Sequence, residues 1–404
     1  MKLFSKGHDV ELLQEKLAQK GYDLGDEKGE FGYLTQEALK AFQKDHRLRV
    51  DGIAGPEVFS LLVNSKPTIE RKIHEVKRGE TLDEIAKHYG VGEEAFLEVN
   101  RNPKLYPGEK LSYYVREVWG VVNKDDTTHV VAENCERLTG VFYPVALFSE
   151  LGSKSFNARN IIASVRIEED EVGMYIHRLL QKRKQRKKCL SYLVDLSSQV
   201  DGIHLSWTPI LRVDGTRYFS FLKALVKMLP RNKKIFITLN EEMPSWNVLG
   251  GIPFSELASI VDRIVVSLPA PKQATQLVSK GIIDKATCRI RRTVPRWKTI
   301  LQIPTFSVEW NENEENSPVL LSYVAAMSRI HQTGARLFKD EDGKPYYRIF
   351  GKNSEGKLWL THHLQLKEAF TYVNLENYAG LLLDYIGAED QRLWKFIGDH
   401  FQIK

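Results

Sequence analysis

From about Glu117 onward the sequence carries eight apolar runs of strand length, at 118–122, 140–148, 160–165, 202–207, 234–239, 264–268, 299–306 and 380–386, each followed by a stretch long enough for a helix. Runs such as Ile235-Phe-Ile-Thr-Leu and Ile264-Val-Val-Ser-Leu lack the apolar/polar alternation of a strand with one wet face. They read as strands covered on both sides, as in a parallel sheet packed under helices. Eight such units between residues 117 and 404 fit an α/β (β/α)8 TIM barrel, which takes about 250 residues. The chain has 404 residues, so a barrel leaves its first hundred or so to fold separately.

The remaining composition narrows the class. The chain is 42% hydrophobic and 27% charged, and no run of 18 apolar residues is present, so no membrane span is expected. Behind the start Met1-Lys-Leu-Phe-Ser-Lys-Gly-His-Asp there is no apolar stretch of seven or more, so the sequence as written has no secretory signal peptide. Export by another route and a removed leader are both open. Three cysteines, Cys135, Cys189 and Cys288, form an odd set without short metal spacing, which argues for buried thiols rather than a disulfide framework. The net charge of +6 favours anionic surfaces only mildly, and no nucleic-acid motif accompanies it.

Before the barrel the sequence falls into two small units. In the first, Val10, Leu13 and Leu17, then Leu34, Ala38, Ala41 and Phe42, recur at helical spacing across a glycine-rich connection, and a third helix is expected from Gly55-Pro56 to Leu62. Residues 1–64 thus read as a small three-helix bundle. The stretch resembles the peptidoglycan-binding domain of cell-wall hydrolases, on His8-Asp-Val-Glu-Leu-Leu-Gln-Glu-Lys-Leu, Gly21-Tyr, Gly29-Glu-Phe-Gly, Phe42-Gln and Asp51-Gly-Ile-Ala-Gly-Pro.

After the linker Asn64-Ser-Lys-Pro-Thr, residues 69–115 read as strand, helix, helix, strand. This βααβ segment resembles a LysM module, on Val76-Lys-Arg-Gly-Glu-Thr-Leu, Ile85-Ala, Tyr89-Gly-Val, Asn100 and Tyr106-Pro-Gly-Glu-Lys-Leu. The resemblance implies a shallow groove for N-acetylglucosamine chains between two loops, with Gly79, Glu80, Thr81 and Leu82 on one side and Asn100, Tyr106 and Pro107 on the other.

Residues 117–404 resemble glycoside hydrolase family 18, particularly its LysM-bearing, spore-cortex branch. The resemblance rests on Leu138-Thr-Gly-Val-Phe-Tyr-Pro, Val200-Asp-Gly-Ile-His-Leu, Thr299-Ile-Leu-Gln-Ile-Pro-Thr-Phe and Tyr378-Ala-Gly-Leu-Leu-Leu-Asp-Tyr; Gly356-Lys-Leu-Trp-Leu-Thr-His-His-Leu-Gln has the layout of the helix before the last strand. It implies cleavage of β-1,4 bonds beside N-acetylglucosamine, with a glutamic acid protonating the leaving oxygen while the acetamido group attacks. The family pattern Asp-Gly-x-x-x-Asp-x-Glu is here Asp201-Gly-Ile-His-Leu-Ser-Trp-Thr: the assisting aspartate is Ser206 and the general acid is Thr208, whose hydroxyl cannot serve as a carboxylic acid. The tyrosine and aspartate of the sixth strand fall at Pro269 and Ala270, and the stacking tryptophan of the eighth at Asp384. A chitinase-like barrel without hydrolysis, a pseudoenzyme, is the expectation, with no cofactor and no metal site.

Other acids, Glu241, Glu242, Glu309 and Asp384, lie after barrel strands, where barrel chemistry resides, so an active N-acetylglucosaminidase with relocated carboxylates is the alternative. Lys182-Arg-Lys-Gln-Arg-Lys-Lys reads as the C-terminal end of an amphipathic helix beginning near Val172, where cations are favourable. It is either a solvated helix end or a docking patch for an anionic polymer or an acidic protein. The functional expectation is a peptidoglycan-binding protein of the cell wall or spore envelope.

Overall fold

The computed structural model describes the chain apart from residues 20–21, 23–25, 47, 56–57, 60, 63–70, 90, 98–99, 101–102, 123–127, 148–157, 168–173, 208–209, 240–253, 269–276, 288–289, 291–293, 295, 312–317, 341–342, 351–354, 377 and 404. In the first unit the helices His8–Gln19 and Tyr33–Asp45 bury Val10, Leu13, Leu17, Ala38 and Phe42 of the positions that recur at helical spacing, while Leu34 is exposed, Ala41 is half-buried and Leu39, outside the expected set, is buried in the core. The expected third helix falls partly outside the described residues; Val58 and Leu62 from it are buried in the same core. Buried Gln14 fastens the glycine-rich connection: its Nε2 donates to the carbonyls of Glu27 (3.0 Å) and Glu30 (2.9 Å), and its Oε1 accepts from the Gly29 amide (2.8 Å).

The second unit pairs β1 (Arg71–Glu75) antiparallel with the start of β2 (Lys110–Val121), and the helices Leu82–Tyr89 and Glu94–Leu97 cover Val76, Ile85, Phe96, Leu111 and Tyr113. The sequence places a boundary between residues 115 and 117, but β2 runs straight through it. Its first half is the module's second strand, and its second half, from Glu117, is the first strand of the barrel.

β2, β3 (Gly140–Pro144), β4 (Ile161–Ile167), β5 (Gly202–Trp207), β6 (Lys234–Leu239), β7 (Arg263–Ser267) and β8 (Thr299–Pro304) are joined by one later strand into a ring of eight parallel strands, which β2–β3 pairing closes. That last strand, β14 (Gly380–Asp384), follows an inserted antiparallel sheet of β9 (Ser307–Asn311), β10 (Val319–Leu321), β11 (Arg336–Lys339), β12 (Pro345–Phe350) and β13 (Glu355–Trp359), with the helix Tyr323–Thr333 packed on it. All eight expected barrel strands are present. The inserted sheet was not expected, and Gly356–Trp359, read as part of a helix, is strand β13; the helix begins only at His363.

Inside the barrel, alternation puts Trp119, Phe142, Ile162, Phe236, Val265, Ile300 and Leu382 into one apolar plug. Gly140 and Gly380 make room for it: a Cβ at Gly140 would meet Trp119 at 2.7 Å, and one at Gly380 would meet the Glu117 carbonyl at 1.7 Å. Helices such as Arg183–Ser197 and Gly215–Met228 cover the outside through Leu193, Leu196, Phe221 and Leu225. The helix Arg392–His400 closes the barrel wall, and the short strand β15 (Gln402–Ile403) then pairs with Val115 and Arg116 of β2. Asp390, just before that helix, accepts from His363 Nδ1 (2.8 Å) and Arg392 Nε (2.9 Å), and Arg392 also donates to the Tyr323 hydroxyl (3.0 Å), so Arg392 links the carboxylate to the helix of the insert.

Candidate functional site

Two surfaces carry the sequence-derived candidates. On the second unit, the two implied sugar-binding loops lie side by side because the strand pairing continues into them: the Val76 amide donates to the Glu109 carbonyl (2.9 Å) and the Gly108 amide to the Val76 carbonyl (2.8 Å). Gly79 (φ +87°) and Gly108 (φ +89°) take the left-handed backbone that each tight turn needs. Gly79, Thr81, Tyr106 and Pro107 face solvent, Tyr106 with 64% of its surface exposed, and Leu82 is half-buried against the module core. Glu80 and Asn100 serve the scaffold. Glu80 accepts from the Lys77 amide (2.7 Å), which with His74 (2.8 Å) holds its carboxyl below the usual range; Asn100 bonds Ser112 at both its amide and carbonyl ends (2.8 and 2.7 Å) and the Phe96 carbonyl (2.9 Å).

Glu109, to which sequence reasoning assigned no role, shapes the second loop. Its carboxylate accepts from the amides of Lys104 (3.1 Å) and Tyr106 (3.2 Å). The available signal was a glutamate three residues after an exposed tyrosine in a Pro-Gly turn. A groove of about 420 Å³, lined by Ile73, His74, Lys77, Glu80, Glu84 and Tyr89 among others, borders the Gly79 loop.

The second surface is the barrel mouth. Above the apolar plug the inward positions turn polar: Ser164 and Arg166 on β4, His204 and Ser206 on β5, Thr238 on β6, Ser267 on β7, Gln302 on β8 and Asp384 on β14. His204 is fully buried between Ser164 Oγ (2.9 Å) and Thr238 Oγ1 (2.7 Å), and burial, aided by the Arg166 charge, takes its pKa well below the usual imidazole value. It is a neutral part of the floor. Asp384 accepts from Gln302 Nε2 (2.9 Å) and lies 3.6 Å from Arg166 Nη2; burial raises its pKa despite both partners. Arg166 also lies over the ring of Tyr385 (5.9 Å), a non-glycine residue held at φ +65° while Thr305 Oγ1 donates to its carbonyl (2.6 Å).

The remaining candidates scatter. Asp201 is at the opposite end of β5, where its carboxylate accepts from the Ile161 amide (2.8 Å) and ties neighbouring strand starts together. Glu309 lies on β9 of the inserted sheet, buried in a two-pronged pair with Arg329 (3.3 and 3.2 Å). Trp207 is packed outside the barrel against Tyr218 and Phe221. Thr208, Glu241, Glu242, Pro269 and Ala270 lie outside the described residues.

The basic run differs most from expectation. One helix ends at Gln181 and a second begins at Arg183, so Lys182–Lys188 follows a helix C-terminus, as expected, and also forms the first turns of a second helix, which was not expected. Lys182, at φ −88° and ψ 112°, breaks the path; Arg186 turns back onto the last carbonyls of the first helix, those of Leu180 and Gln181.

Comparison with known proteins matches these units one by one. Residues 6–62 match the model of a putative peptidoglycan binding domain, and residues 74–112 match the LysM domain. An N-acetylmuramoyl-L-alanine amidase of Mycobacterium tuberculosis, CwlM, is 41% identical over 56 residues, which span 14% of this chain and 14% of that relative. Among solved structures, the spore cortex-lytic enzyme SleL of Bacillus megaterium superposes with a TM-score of 0.62 at 14% identity, over 82% of this chain and 87% of that one. A chitinase of Chromobacterium violaceum superposes with a TM-score of 0.57 at 14% identity, over 70% of this chain and 98% of that one. The chain therefore consists of a peptidoglycan-binding domain, a LysM domain and a closed eight-stranded barrel with the fold of family 18 chitinases.

Proposed function

We propose that this protein binds N-acetylglucosamine-containing wall glycan through its two N-terminal units, at the cell wall or spore envelope, and that its barrel does not hydrolyse that glycan. The observation that carries the proposal is Ser206, which points into the barrel mouth at the position where family 18 enzymes have the assisting aspartate; two residues on, the sequence has Thr208 for the acid. Without a carboxylic acid there, leaving-group protonation has no donor. Tandem modules suit a binder, since two weak glycan contacts on one chain raise overall avidity by about 10²–10⁴ when both engage.

A second reading, turnover with Asp384 as a relocated acid, has one observation in its favour: burial raises its pKa toward that of a proton donor. Incubation of the full chain with purified muropeptides and chitin-type oligosaccharides, followed by product analysis, separates the two. No products are expected. Release of a reducing sugar that disappears in Asp384→Asn would sink the non-hydrolytic reading.

A further inference from the structure

We infer that the Lys182–Lys188 run is a docking surface for a phosphodiester-linked polyol chain of the cell wall. The run puts six cations in seven positions, and Lys182, Arg183, Lys184, Lys187 and Lys188 are exposed. At the C-terminal end of a helix such a cluster would complement the macrodipole and need no further explanation. Only Arg186 does so here, on the carbonyls that end the preceding helix; the exposed cations lie on the first turns of a 15-residue helix that has no acidic residue in its first turn and no side-chain cap. There Arg183 and Lys184, in the first turn, meet the positive end of the dipole.

Arg183 with Lys187, and Lys184 with Lys188, are also like-charge pairs at i,i+4, which disfavour the helix. The helix is held by Leu190, Leu193 and Leu196, which are buried against the barrel. Arg186 serves the fold, but among the described residues none of the five exposed cations has an ion-pair partner, and a local arrangement of like charges that works against stability is characteristic of a binding surface.

The topology gives the patch its position. A helix that returns from the end of β4 to the start of β5 begins at the C-terminal end of the strands, so the cations stand at the same end as the polar mouth. Their chemistry selects the partner. Four of the six are lysines, strongly hydrated point charges on flexible stems that follow charge density rather than a fixed planar geometry. Members of each i,i+4 pair are ~6 Å apart along the helix at 1.5 Å per residue, a spacing that a flexible chain with one phosphate per short polyol can follow. A folded acidic protein would need a shaped, partly apolar contact, and this open flank is read by charge alone.

The test uses the full chain and a variant with Lys182, Arg183, Lys184, Lys187 and Lys188 all changed to Gln. Fluorescence-labelled poly(glycerol phosphate) is titrated at several salt concentrations, in parallel with duplex DNA, polyglutamate and anionic lipid vesicles at equal charge concentration. The expected result is binding of poly(glycerol phosphate) that weakens steeply with salt and falls at least about tenfold in the variant, with peptidoglycan retention unchanged. Equal affinity of the variant, or tighter binding of DNA, polyglutamate or vesicles, would overturn the assignment.

Thermal stability adds an independent arm, because the acidic run Glu168-Glu169-Asp170-Glu171 lies outside the described residues. Cations free for a partner predict a Tm unchanged or raised in the variant. A lowered Tm would mean that the run is neutralised within the chain and would refute the proposal. Because peptidoglycan retention is measured separately, failure here is distinguishable from failure of the glycan-binding reading.

Discussion

At the scale of single residues, the barrel mouth turns on Asp384. Its carboxyl gains a hydrogen bond from Gln302 and the charge of Arg166, yet burial outweighs both and its pKa is raised. A raised carboxyl pKa means that the folded state holds the proton more tightly than the unfolded chain does. The contribution is fully present below the ordinary aspartate value of about 4 and is lost as pH rises through the folded value. Asp384→Asn should therefore flatten the fall in stability with pH just above the ordinary carboxylate range, read from urea midpoints at a series of pH values; an unchanged profile would contradict the burial argument.

Much at this scale was legible in advance. Ser206 could be placed in the mouth because strand period and motif register agree. That Asp201 would bind the Ile161 amide, that Glu309 would face Arg329, and that Glu80 and Asn100 would turn to their own backbone could not be read from the sequence. Each depends on contacts between segments whose relative placement no local pattern encodes.

At the scale of elements, the apolar runs announced every barrel strand because strands covered on both faces cannot hide among polar residues. The inserted sheet escaped the same test: β11 is exposed at all four positions, and β10 is largely so. The helix break at Lys182 was equally silent, since neither glycine nor proline marks it and Arg186 repairs the carbonyls it leaves. The insert is fastened to the barrel by Tyr323, whose hydroxyl accepts from Arg392 and whose amide donates to the Ala388 carbonyl, and the Asp390 carboxyl holds Arg392 in place. Burial pushes that carboxyl up, but hydrogen bonds from Arg392 and His363 more than offset it and hold its pKa well below the usual range. A depressed folded pKa gives stability that is fully present above the ordinary carboxylate range and is lost as pH falls through the folded value. Asp390→Asn should cost on the order of 1 kcal/mol at neutral pH, because it leaves His363 without its charged acceptor while the exposed Arg392 turns to water. The loss should shrink in strong acid, and denaturant titrations at the two pH values would show whether it does.

At the scale of the whole molecule, three units that the sequence separates cleanly share more backbone than their composition suggests. β2 is both the edge of the LysM hairpin and a barrel stave, and β15 returns to pair with it at Val115 and Arg116. The Gly92 amide donates to the Asp399 carbonyl (2.7 Å), and a Cβ at Gly92 would meet that oxygen at 2.6 Å, so the module is seated on the last barrel helix. The choice of truncation point is therefore a structural question. A chain starting at Lys110 keeps β2 whole. One starting at Glu117 loses Val115, which is buried, and Arg116, which is fully buried and donates to Asn374 Oδ1 (3.1 Å), leaving that acceptor short of a partner at a cost of about 1–3 kcal/mol. Both truncations should lose retention on insoluble peptidoglycan, because both lack the glycan-binding units. Only the chain starting at Glu117 should also melt clearly below the full-length protein, and parallel pull-down and thermal-melting measurements on the two would separate loss of binding from loss of fold. Retention undiminished in the chain starting at Lys110 would transfer the wall-binding role to the barrel.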